Sequence, residues 1–280
     1  MKADLHLHST ASDGTLTPAE LVARAASLGL EAIAITDHDS VAGIPPALEA
    51  AREFPGLLVI PGVEINTDVS NSEAHVLGYF IDWTDRGLQD TLCSLRGSRL
   101  ERGRRMVRKL AGLGVDIDWE RVLELAGGAS MGRPHLAQAI LERGYVSSIS
   151  EAFTRYIGRH GPAYAERTKL TPLEAARLVL RAGGLPVLGH PADIPELERF
   201  VQQLKAEGLA GIEAYYGYYS VQTMERLVRL AGIHGLLTTG GSDFHGLDEA
   251  REPPIGGLEL PADAVGQLSS MAEQKRLVPE

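Results

Sequence analysis

Short apolar segments of this chain repeatedly carry a histidine, aspartate or glutamate at or near one end, and helical segments separate most of them. The segments are DLHLH, AIAITDHD, VIPGVE, AHVLGYF, PVLGHP, IEAYY and LLTTGGSDFH. Such alternation of strands and helices favours βα units around a mostly parallel sheet or barrel. In a parallel αβ barrel the carboxyl ends of the strands meet at one face, where active sites form. The pattern therefore predicts that polar residues far apart in the sequence converge on one spot.

The middle of the chain lacks this alternation. From about Asp85 to Gly161 the sequence contains several helical segments and no convincing strand. We therefore predict an α/β barrel domain formed by residues 1–84 and 162–280, with a helical insertion, or cap subdomain, at residues 85–161. Residues 92–114 of the insertion are rich in arginine. We interpret this run as a solvated helix face, with phosphate steering as the alternative.

The composition narrows the kind of site and partner. Cys93 is the only cysteine, which excludes an internal disulfide and a thiolate zinc cluster, so a metal site must use nitrogen and oxygen ligands. A formal net charge of -10 argues against a duplex nucleic-acid partner, although bound cations would still admit a small phosphorylated substrate. No apolar run approaches the roughly 20 residues of a membrane span, and no apolar leader precedes the first strand. We therefore predict a cytoplasmic protein without a membrane partner.

Two pairs of candidate ligands have the spacing of residues on one face of a strand. His6 and His8 lie two residues apart, as do Asp243 and His245. Side chains at i and i+2 of a strand face the same side, so His6 and His8 can hold one ion from one face of their strand, and Asp243 and His245 have the same spacing. Imidazole and carboxylate ligands together suit divalent ions such as Mn²⁺, Zn²⁺ or Fe²⁺.

The histidines are informative as a set. A single histidine at a strand end is more often a cap or a packed core residue than a ligand. Six of the nine histidines lie at strand ends or in the motifs above: His6, His8, His38, His75, His190 and His245. Together with Asp13, Glu64 and Asp243, they favour a common metal site over nine unrelated structural roles.

The motifs DLHLHS, TDHDS, GVE, GHP and GSDFH occur in this order, and in them the chain resembles the PHP (polymerase and histidinol phosphatase) family of the amidohydrolase superfamily. The resemblance covers nearly the whole chain and implies a distorted (β/α)7 TIM-like barrel that hydrolyses phosphate esters with two or three divalent metal ions. DLHLHSTASDGTLTP, GRPHLA and GSDFHG are most similar to one subgroup, the 3′,5′-nucleoside bisphosphate phosphatases, which are also described as 5′→3′ exoribonucleases on short RNA. The resemblance thus implies release of the 3′-phosphate from a nucleoside 3′,5′-bisphosphate. The alternatives are 5′→3′ trimming of short RNA, a histidinol phosphatase, and a non-catalytic metal- or phosphate-binding module.

The resemblance also implies a role for each candidate ligand. The first ion would be held by His6, His8, Glu64 and Asp243. Glu64 would bridge to a second ion on His75 and His190, and a third would lie on Asp13, His38 and His245. Many family members have a histidine where this chain has Asp13, a difference that the bisphosphatase-like subgroup shares.

The chemistry implied by the resemblance needs a nucleophile and a proton donor. Neighbouring divalent ions, with manganese expected and zinc or iron as alternatives, lower the pKa of a bridging water enough to give hydroxide at neutral pH. The leaving oxygen needs either a metal or a proton. Asp13, His190 and His245 are the candidate catalytic residues for that proton, and the sequence does not choose between them.

Four residues are candidates for substrate binding. Arg133 and His135 begin a helix in MGRPHLA, and a helix N-terminus beside an arginine is a ready phosphate site. An ordinary capped helix with an exposed arginine is the alternative. Tyr164 and Lys169 lie where the insertion rejoins the barrel and could flank the cleft, with a surface role as the alternative for Lys169. The expected partner is a small phosphorylated nucleotide or short RNA, while the sequence leaves nucleobase preference and oligomeric state open.

Overall fold

Seven strands form a single sheet whose spatial order follows the sequence, in a computed structural model that describes residues 2–69, 72–248 and 251–277. The strands are β1 (Ala3–Leu7), β2 (Ala32–Ile35), β3 (Leu58–Val69), β4 (Ser72–Tyr79), β5 (Leu185–Gly189), β6 (Gly211–Tyr216) and β7 (Leu237–Gly241). Paired strands run parallel, except that β4 is antiparallel to both β3 and β5. A parallel bridge between Leu7 and Phe244 joins the chain after β7 to β1. The sheet is therefore nearly closed as a barrel, which confirms the predicted fold class.

The seam between β1 and β7 brings together residues near opposite ends of the chain. The His8 N–H donates to the Phe244 carbonyl at 3.1 Å, and the Asp243 N–H donates to the His6 carbonyl at 3.0 Å. Glycine is needed at position 241, because a Cβ there would lie 2.4 Å from the His6 Cβ. The seam thus fixes the backbone positions of two predicted metal-binding segments relative to each other.

Helices connect the strands and cover the outside of the sheet. They are α1 (Pro18–Ser27), α2 (Ile44–Ala51), α3 (Arg86–Gly112), α4 (Trp119–Ala126), α5 (Arg133–Glu142), α6 (Ile149–Ala152), α7 (Pro172–Arg181), α8 (Leu197–Ala206), α9 (Val221–Ile233) and α10 (Ala264–Leu277). A π-helical turn, Phe153–Ile157, extends α6. Both α1 and α7 start from Thr-Pro-x-Glu with a complete capping box, which satisfies free N–H groups of the first turn. None of the helices in the described part of the chain has the length and hydrophobicity needed to cross a membrane.

The long helix α3 belongs to two hydrophobic cores. Leu88, Leu92 and Leu95 pack with buried residues of β3, β4 and α7. Farther along the helix, Met106 and Leu110 pack with α4, α5 and α6 in a separate core. The first turns of α3 therefore stabilise the barrel layer, and the core of the helical insertion begins in its second half.

The same helix corrects one interpretation made from the sequence. The basic run was expected to be a solvated face, but Arg99 and Arg102 are only 4% and 3% exposed. Arg104 and Arg108 do face solvent. The run therefore has two faces, and one of them is turned into the protein.

Helix α10 lies beyond the last element predicted from the sequence pattern. Its residues Val265, Leu268 and Ala272 are buried in the same core as Leu5 and Val187 of the sheet. The C-terminal helix therefore completes the apolar core of the barrel.

Candidate metal centre and basic cavity

The predicted ligands converge in three overlapping groups. These are His6, His8, Glu64 and Asp243; Glu64, His75 and His190; and His8, Asp13, His38 and His245. Within each group the ligand atoms all lie within 4.8 Å of one another. The structure thus brings together all nine residues singled out from the sequence, in the groups that the resemblance implies, with His8 lying near the third group as well as in the first.

Glu64 links the first two groups. Its Oε2 lies 3.3 Å from His6 Nε2 and 3.2 Å from His8 Nε2. Its Oε1 lies 2.5 Å from His75 Nδ1 and 3.3 Å from His190 Nε2. The side chain is fully buried. Its two oxygens face different groups, which is the arrangement expected of a bridging carboxylate.

Asp13 lies in the third group, against the helical insertion. Its Oδ1 is 3.6 Å from His245 Nε2 and 4.0 Å from His38 Nε2. The other ring nitrogen of His245, Nδ1, lies 2.9 Å from the carbonyl oxygen of Asp243, so that Nε2 points toward Asp13. Gly132 permits the loop before α5 to approach this closely, because a Cβ there would lie 2.6 Å from Asp13 Oδ2.

His75 reaches the centre from a strand that runs against its neighbours. It lies near the start of β4, beside Gly189 at the end of β5 and opposite Asn66 near the end of β3. Because β4 is antiparallel, its start lies at the same face as the ends of β3 and β5. The Asn66 Nδ2 is 2.7 Å from His75 Nε2, which leaves Nδ1 turned to the carboxylate of Glu64.

Backbone strain concentrates at this face. Asp39, His190 and Asp243 have φ of +48°, +24° and +55°, and they are three of the five non-glycine residues with positive φ in the described part of the chain. Residues with a Cβ disfavour this region, and such outliers cluster at functional sites. The fold therefore maintains unfavourable backbone conformations at two predicted ligands.

Two further residues orient the candidate ligands, and neither of them is predicted from the sequence to contact a ligand. Glu213 is fully buried on β6; its Oε1 is 2.9 Å from His6 Nδ1 and its Oε2 accepts the His190 N–H at 2.8 Å. The Tyr216 hydroxyl donates to Asp243 Oδ2 at 2.8 Å. Such contacts fix the ring and carboxylate orientations of metal ligands. The available signal was an acidic residue inside the buried segment GIEAYY.

The donor set fits divalent cations. Several buried ligand atoms have no hydrogen-bond partner among the described residues: His6 Nε2, His8 Nε2, Asp13 Oδ1, His38 Nδ1 and Glu64 Oε2. Buried polar atoms are normally hydrogen-bonded, and leaving them unpaired is costly. Imidazole nitrogens and carboxylate oxygens that converge in this way are well satisfied by cations of the Mn²⁺, Zn²⁺ or Fe²⁺ type.

Burial and the close approach of histidines and carboxylates also shift the pKa values of the candidate ligands. Burial lowers the pKa of His8, but the carboxylates of Asp243 and Glu64 outweigh it and raise the value to about 10. Burial raises the pKa of Glu64, yet the surrounding histidines hold it well below its ordinary value. Burial dominates at His38 and lowers its pKa to about 4. Protons on His8 therefore balance part of the carboxylate charge, and metal binding to such a ligand releases them.

A basic cavity of about 170 Å³ adjoins the metal-binding groups. Asp13, His38, His75 and His245 contribute to its wall. Five cationic side chains also line it: Arg99, Arg102, Arg133, Arg167 and Lys169. The cavity therefore places a concentration of positive charge directly beside the candidate metal ligands.

The arginines of this basic cavity differ in their partners. Arg99 Nε and Arg167 Nη2 donate to Asp39 Oδ2 at 2.7 and 3.1 Å, and Arg99 also donates to Asn66. Arg102 is buried, and its Nε has no hydrogen-bond partner among the described residues. Arg102 therefore lines the cavity with a buried Nε–H that lacks an acceptor among the described residues.

Two of the four predicted substrate-binding residues line this basic cavity. Arg133 and Lys169 do so. His135 uses Nδ1 to accept the Gly132 N–H at 3.0 Å, so it caps its own helix. Tyr164 lines a different cavity, of about 490 Å³, with its ring 5.9 Å from the Arg133 guanidinium. Among the described residues, neither His135 nor Tyr164 belongs to the wall of the basic cavity.

Comparison with protein families identifies one matching model, the PHP domain, over residues 4–231. The 5′-3′ exoribonuclease Rnm of Salmonella typhimurium is 36% identical over 247 residues, which cover 86% of this chain and 84% of that protein. The 3′,5′-nucleoside bisphosphate phosphatase of Chromobacterium violaceum is 33% identical over 247 residues, 86% of either chain. Phosphoribosyl 1,2-cyclic phosphate 1,2-diphosphodiesterase of Eggerthella lenta is 32% identical over 271 residues, covering 94% of this chain and 100% of that protein.

Comparison with solved structures likewise identifies a phosphoesterase of similar fold. A protein from Bifidobacterium adolescentis, assigned as a metal-dependent phosphoesterase, superposes with a TM-score of 0.88 at 31% identity. The superposition covers 96% of this chain and 95% of that one. The similarity therefore extends over the barrel and the helical insertion together.

Proposed function

Because this chain belongs to the PHP domain family and is a metal-dependent phosphoric ester hydrolase, we propose that it removes the 3′-phosphate of nucleoside 3′,5′-bisphosphates. The products are the nucleoside 5′-monophosphate and inorganic phosphate. The relatives act on different phosphate esters, so the choice of substrate rests on the site itself. The observation that carries it is the basic cavity beside the metal-binding groups, where the Nε–H of Arg102 lacks an acceptor among the described residues.

The three groups of ligands would hold two or three divalent ions, with Mn²⁺ as the first choice and zinc or iron as alternatives, since imidazole and carboxylate donors together suit such ions. Such ions supply a hydroxide at neutral pH and neutralise charge on the phosphoryl oxygens. The protein orients the imidazoles through Glu213 and Asn66. Asp13, His190 and His245 remain the candidates for placing a proton on the leaving 3′-oxygen.

The basic cavity would hold the phosphate that is not cleaved. A terminal phosphate carries three acceptor oxygens and a charge between about -1.5 and -2 at neutral pH. Arg102, Arg133 and Lys169 offer donors to such a group from the same cavity. A substrate with two phosphates would therefore bind with one phosphate on the metals and the other on these cations. This is the reason to prefer a bisphosphate over a substrate with a single phosphate.

Incubation with adenosine 3′,5′-bisphosphate and Mn²⁺ tests the proposal. We expect release of inorganic phosphate and formation of adenosine 5′-monophosphate, and little turnover of adenosine 3′-monophosphate, which lacks the second phosphate. Absence of phosphate release, alongside turnover of histidinol phosphate or of phosphoribosyl 1,2-cyclic phosphate, would overturn the substrate assignment. Elemental analysis of protein purified without chelator tests the ions, and less than about one metal per chain would favour a non-catalytic binding module.

A second candidate activity is 5′→3′ trimming of short 5′-phosphorylated RNA. One feature favours it: α3 presents the exposed cations Arg104 and Arg108 at the protein surface, and exposed cations suit the backbone phosphates of RNA. The same cavity would hold the 5′-phosphate in both reactions. A length series of 5′-phosphorylated oligoribonucleotides separates the two, because trimming predicts that kcat/KM rises with length, whereas a phosphatase prefers the bisphosphate. A cytoplasmic location and the lack of a duplex nucleic-acid or membrane partner stay predictions.

A further inference from the structure

Two carboxylates of the β3–β4 hairpin engage cations of the basic cavity. Glu73 accepts hydrogen bonds from Arg133 Nη2 at 3.0 and 3.3 Å and from Lys169 Nζ at 3.2 Å. Asp68 accepts from Lys169 Nζ at 2.8 Å and from Arg159 Nη1 at 2.9 Å. Two of the cations that the proposed substrate would use are therefore already ion-paired within the protein.

Glu73 is placed by the same strand that places a metal ligand. Glu73 and His75 are two residues apart on β4, so their side chains leave the same face of the strand roughly 7 Å apart. Both residues line the basic cavity. A phosphate that reaches Arg133 and Lys169 therefore comes into contact range of the Glu73 carboxylate.

The cation count of the basic cavity exceeds the number of its carboxylate partners. Asp39 pairs with Arg99 and Arg167, while Glu73 and Asp68 pair with Arg133, Lys169 and Arg159. A phosphate dianion can accept hydrogen bonds from Arg102 as well as from Arg133 and Lys169, the two cavity cations that donate to Glu73. An incoming dianion thus adds a charge-assisted hydrogen bond from Arg102 to those that it takes over from the Glu73 carboxylate.

We propose that Glu73 is a specificity-determining residue, whose carboxylate occupies Arg133 and Lys169 until a terminal phosphate displaces it. Ligands with a weaker charge, such as a phosphodiester monoanion, do not offset the loss of the Glu73 ion pairs. The cavity therefore selects a terminal phosphate monoester over an internal diester. This inference rests on the proposed function for the identity of the substrate, but not for the contacts of Glu73.

Glu73 would give specificity because it places a competing negative charge in the site. This charge weakens the binding of a phosphodiester more than the binding of a terminal phosphate monoester. The opposite role for Glu73 is to hold Arg133 and Lys169 in their binding positions. The two roles predict opposite signs when the carboxylate is removed, so a single substitution separates them.

The test compares wild-type protein with Glu73→Gln, both loaded with Mn²⁺, using calorimetric titration with adenosine 5′-monophosphate and with its phosphate methyl ester. We expect Glu73→Gln to bind the monophosphate about tenfold more tightly, since removing a partly buried competing charge is worth roughly one factor of ten. The methyl ester should gain more, so the ratio of the two affinities shrinks. Glu101→Gln on α3 is the matched control: it removes the same charge from an exposed side chain that pairs with Arg104 and Arg108, and should leave both affinities unchanged.

Unchanged or weaker binding of the monophosphate by Glu73→Gln overturns the proposal. Glu73→Ala serves as the second variant if the glutamine protein does not fold, and circular dichroism verifies the fold of each. Turnover of adenosine 3′,5′-bisphosphate by the wild type is measured separately. If turnover is absent but Glu73→Gln still binds the monophosphate more tightly, the proposed function fails and the role of Glu73 stands.

Discussion

Replacing Arg102 with methionine is expected to stabilise the protein and to weaken substrate binding at the same time. Arg102 is 3% exposed, and its Nε has no hydrogen-bond partner among the described residues. Burial, followed by the neighbouring charges of Arg99, Arg133 and Arg167, lowers its pKa well below the ordinary value. Methionine keeps an unbranched side chain that packs adaptably and removes the charge. Without substrate, Arg102 is therefore a destabilising residue.

The gain in stability and the loss of substrate affinity can be estimated separately. A buried polar group without a partner costs about 1–3 kcal/mol, and we take the lower half of that range because nearby carboxylates offset part of the repulsion. A gain of about 1–2 kcal/mol in the free energy of unfolding raises Tm by roughly 2–8 °C for a protein of this size. Loss of one hydrogen bond between a guanidinium and a phosphate costs about 1.5–3 kcal/mol of binding free energy. That corresponds to roughly a 10- to 150-fold weaker affinity.

The assay has two parts. Thermal unfolding of the Mn²⁺-loaded protein without substrate measures stability, and calorimetric titration with adenosine 5′-monophosphate measures binding. Arg108→Met is the control, because Arg108 lies on the same helix with its side chain 70% exposed and should change neither quantity. A lower Tm for Arg102→Met would show that the arginine contributes favourably to the empty protein. An unchanged affinity would show that this cavity does not hold the phosphate.

Three further outcomes follow from the site. Chelation of divalent ions should abolish phosphate release and lower Tm, since a ligand that binds only the folded state stabilises it, and added Mn²⁺ should restore both; full activity after chelation contradicts the metal centre. Asp39→Asn leaves Arg99 and Arg167 buried without their carboxylate, and should lower the free energy of unfolding by about 3–5 kcal/mol in urea denaturation at pH 7. Burial raises the pKa of Asp39 but the two arginines outweigh it, so its pKa in the folded protein lies below the ordinary 3.8. The stabilisation by the ionised Asp39 is therefore fully present above the ordinary pKa and is lost as the pH falls through the folded pKa. A difference in stability between variant and wild type that stays constant down to pH 2 contradicts this assignment. The carboxylate of Glu252 accepts hydrogen bonds from the backbone N–H groups of residues 245–248 at 2.6 to 3.1 Å. Glu252→Gln should therefore weaken the affinity of one Mn²⁺ site about 10- to 100-fold in a spin-resonance titration. Equal weakening of every site would instead indicate a general loss of structure.

The residues of the metal-binding groups could be predicted from the sequence because two simple rules are enough to find them. Alternation within a strand pairs His6 with His8, and the convergence of strand ends in a barrel gathers the remaining ligands. Neither rule depends on the detailed packing of the chain. The direction of β4 was not accessible in the same way, since a period of two looks identical in a parallel and an antiparallel strand. Helix α10 was not predicted, although its buried residues Val265, Leu268 and Ala272 recur at the spacing of one helix face.

The basic cavity could not be predicted to the same degree. The charge pattern of α3 predicts a polar helix but does not say which arginines face inward, because Glu73 and Lys169 come from segments distant in sequence. Burial of Arg102 is therefore a tertiary property that overrides the usual reading of a charged run. Glu213 was missed for a related reason: one acidic residue in an apolar strand has several ordinary explanations, and only its contact with His6 distinguishes them.

The seam between β1 and β7 has a consequence for how the protein acquires its ions during synthesis. His6 and His8 emerge from the ribosome first, but Asp243 becomes available only when nearly the whole described barrel has been made. Contacts between such distant segments form late, because the closure entropy of a long chain must be overcome first. A nascent or truncated chain therefore lacks the first metal group. Assembly of this group of candidate ligands therefore marks a completed barrel.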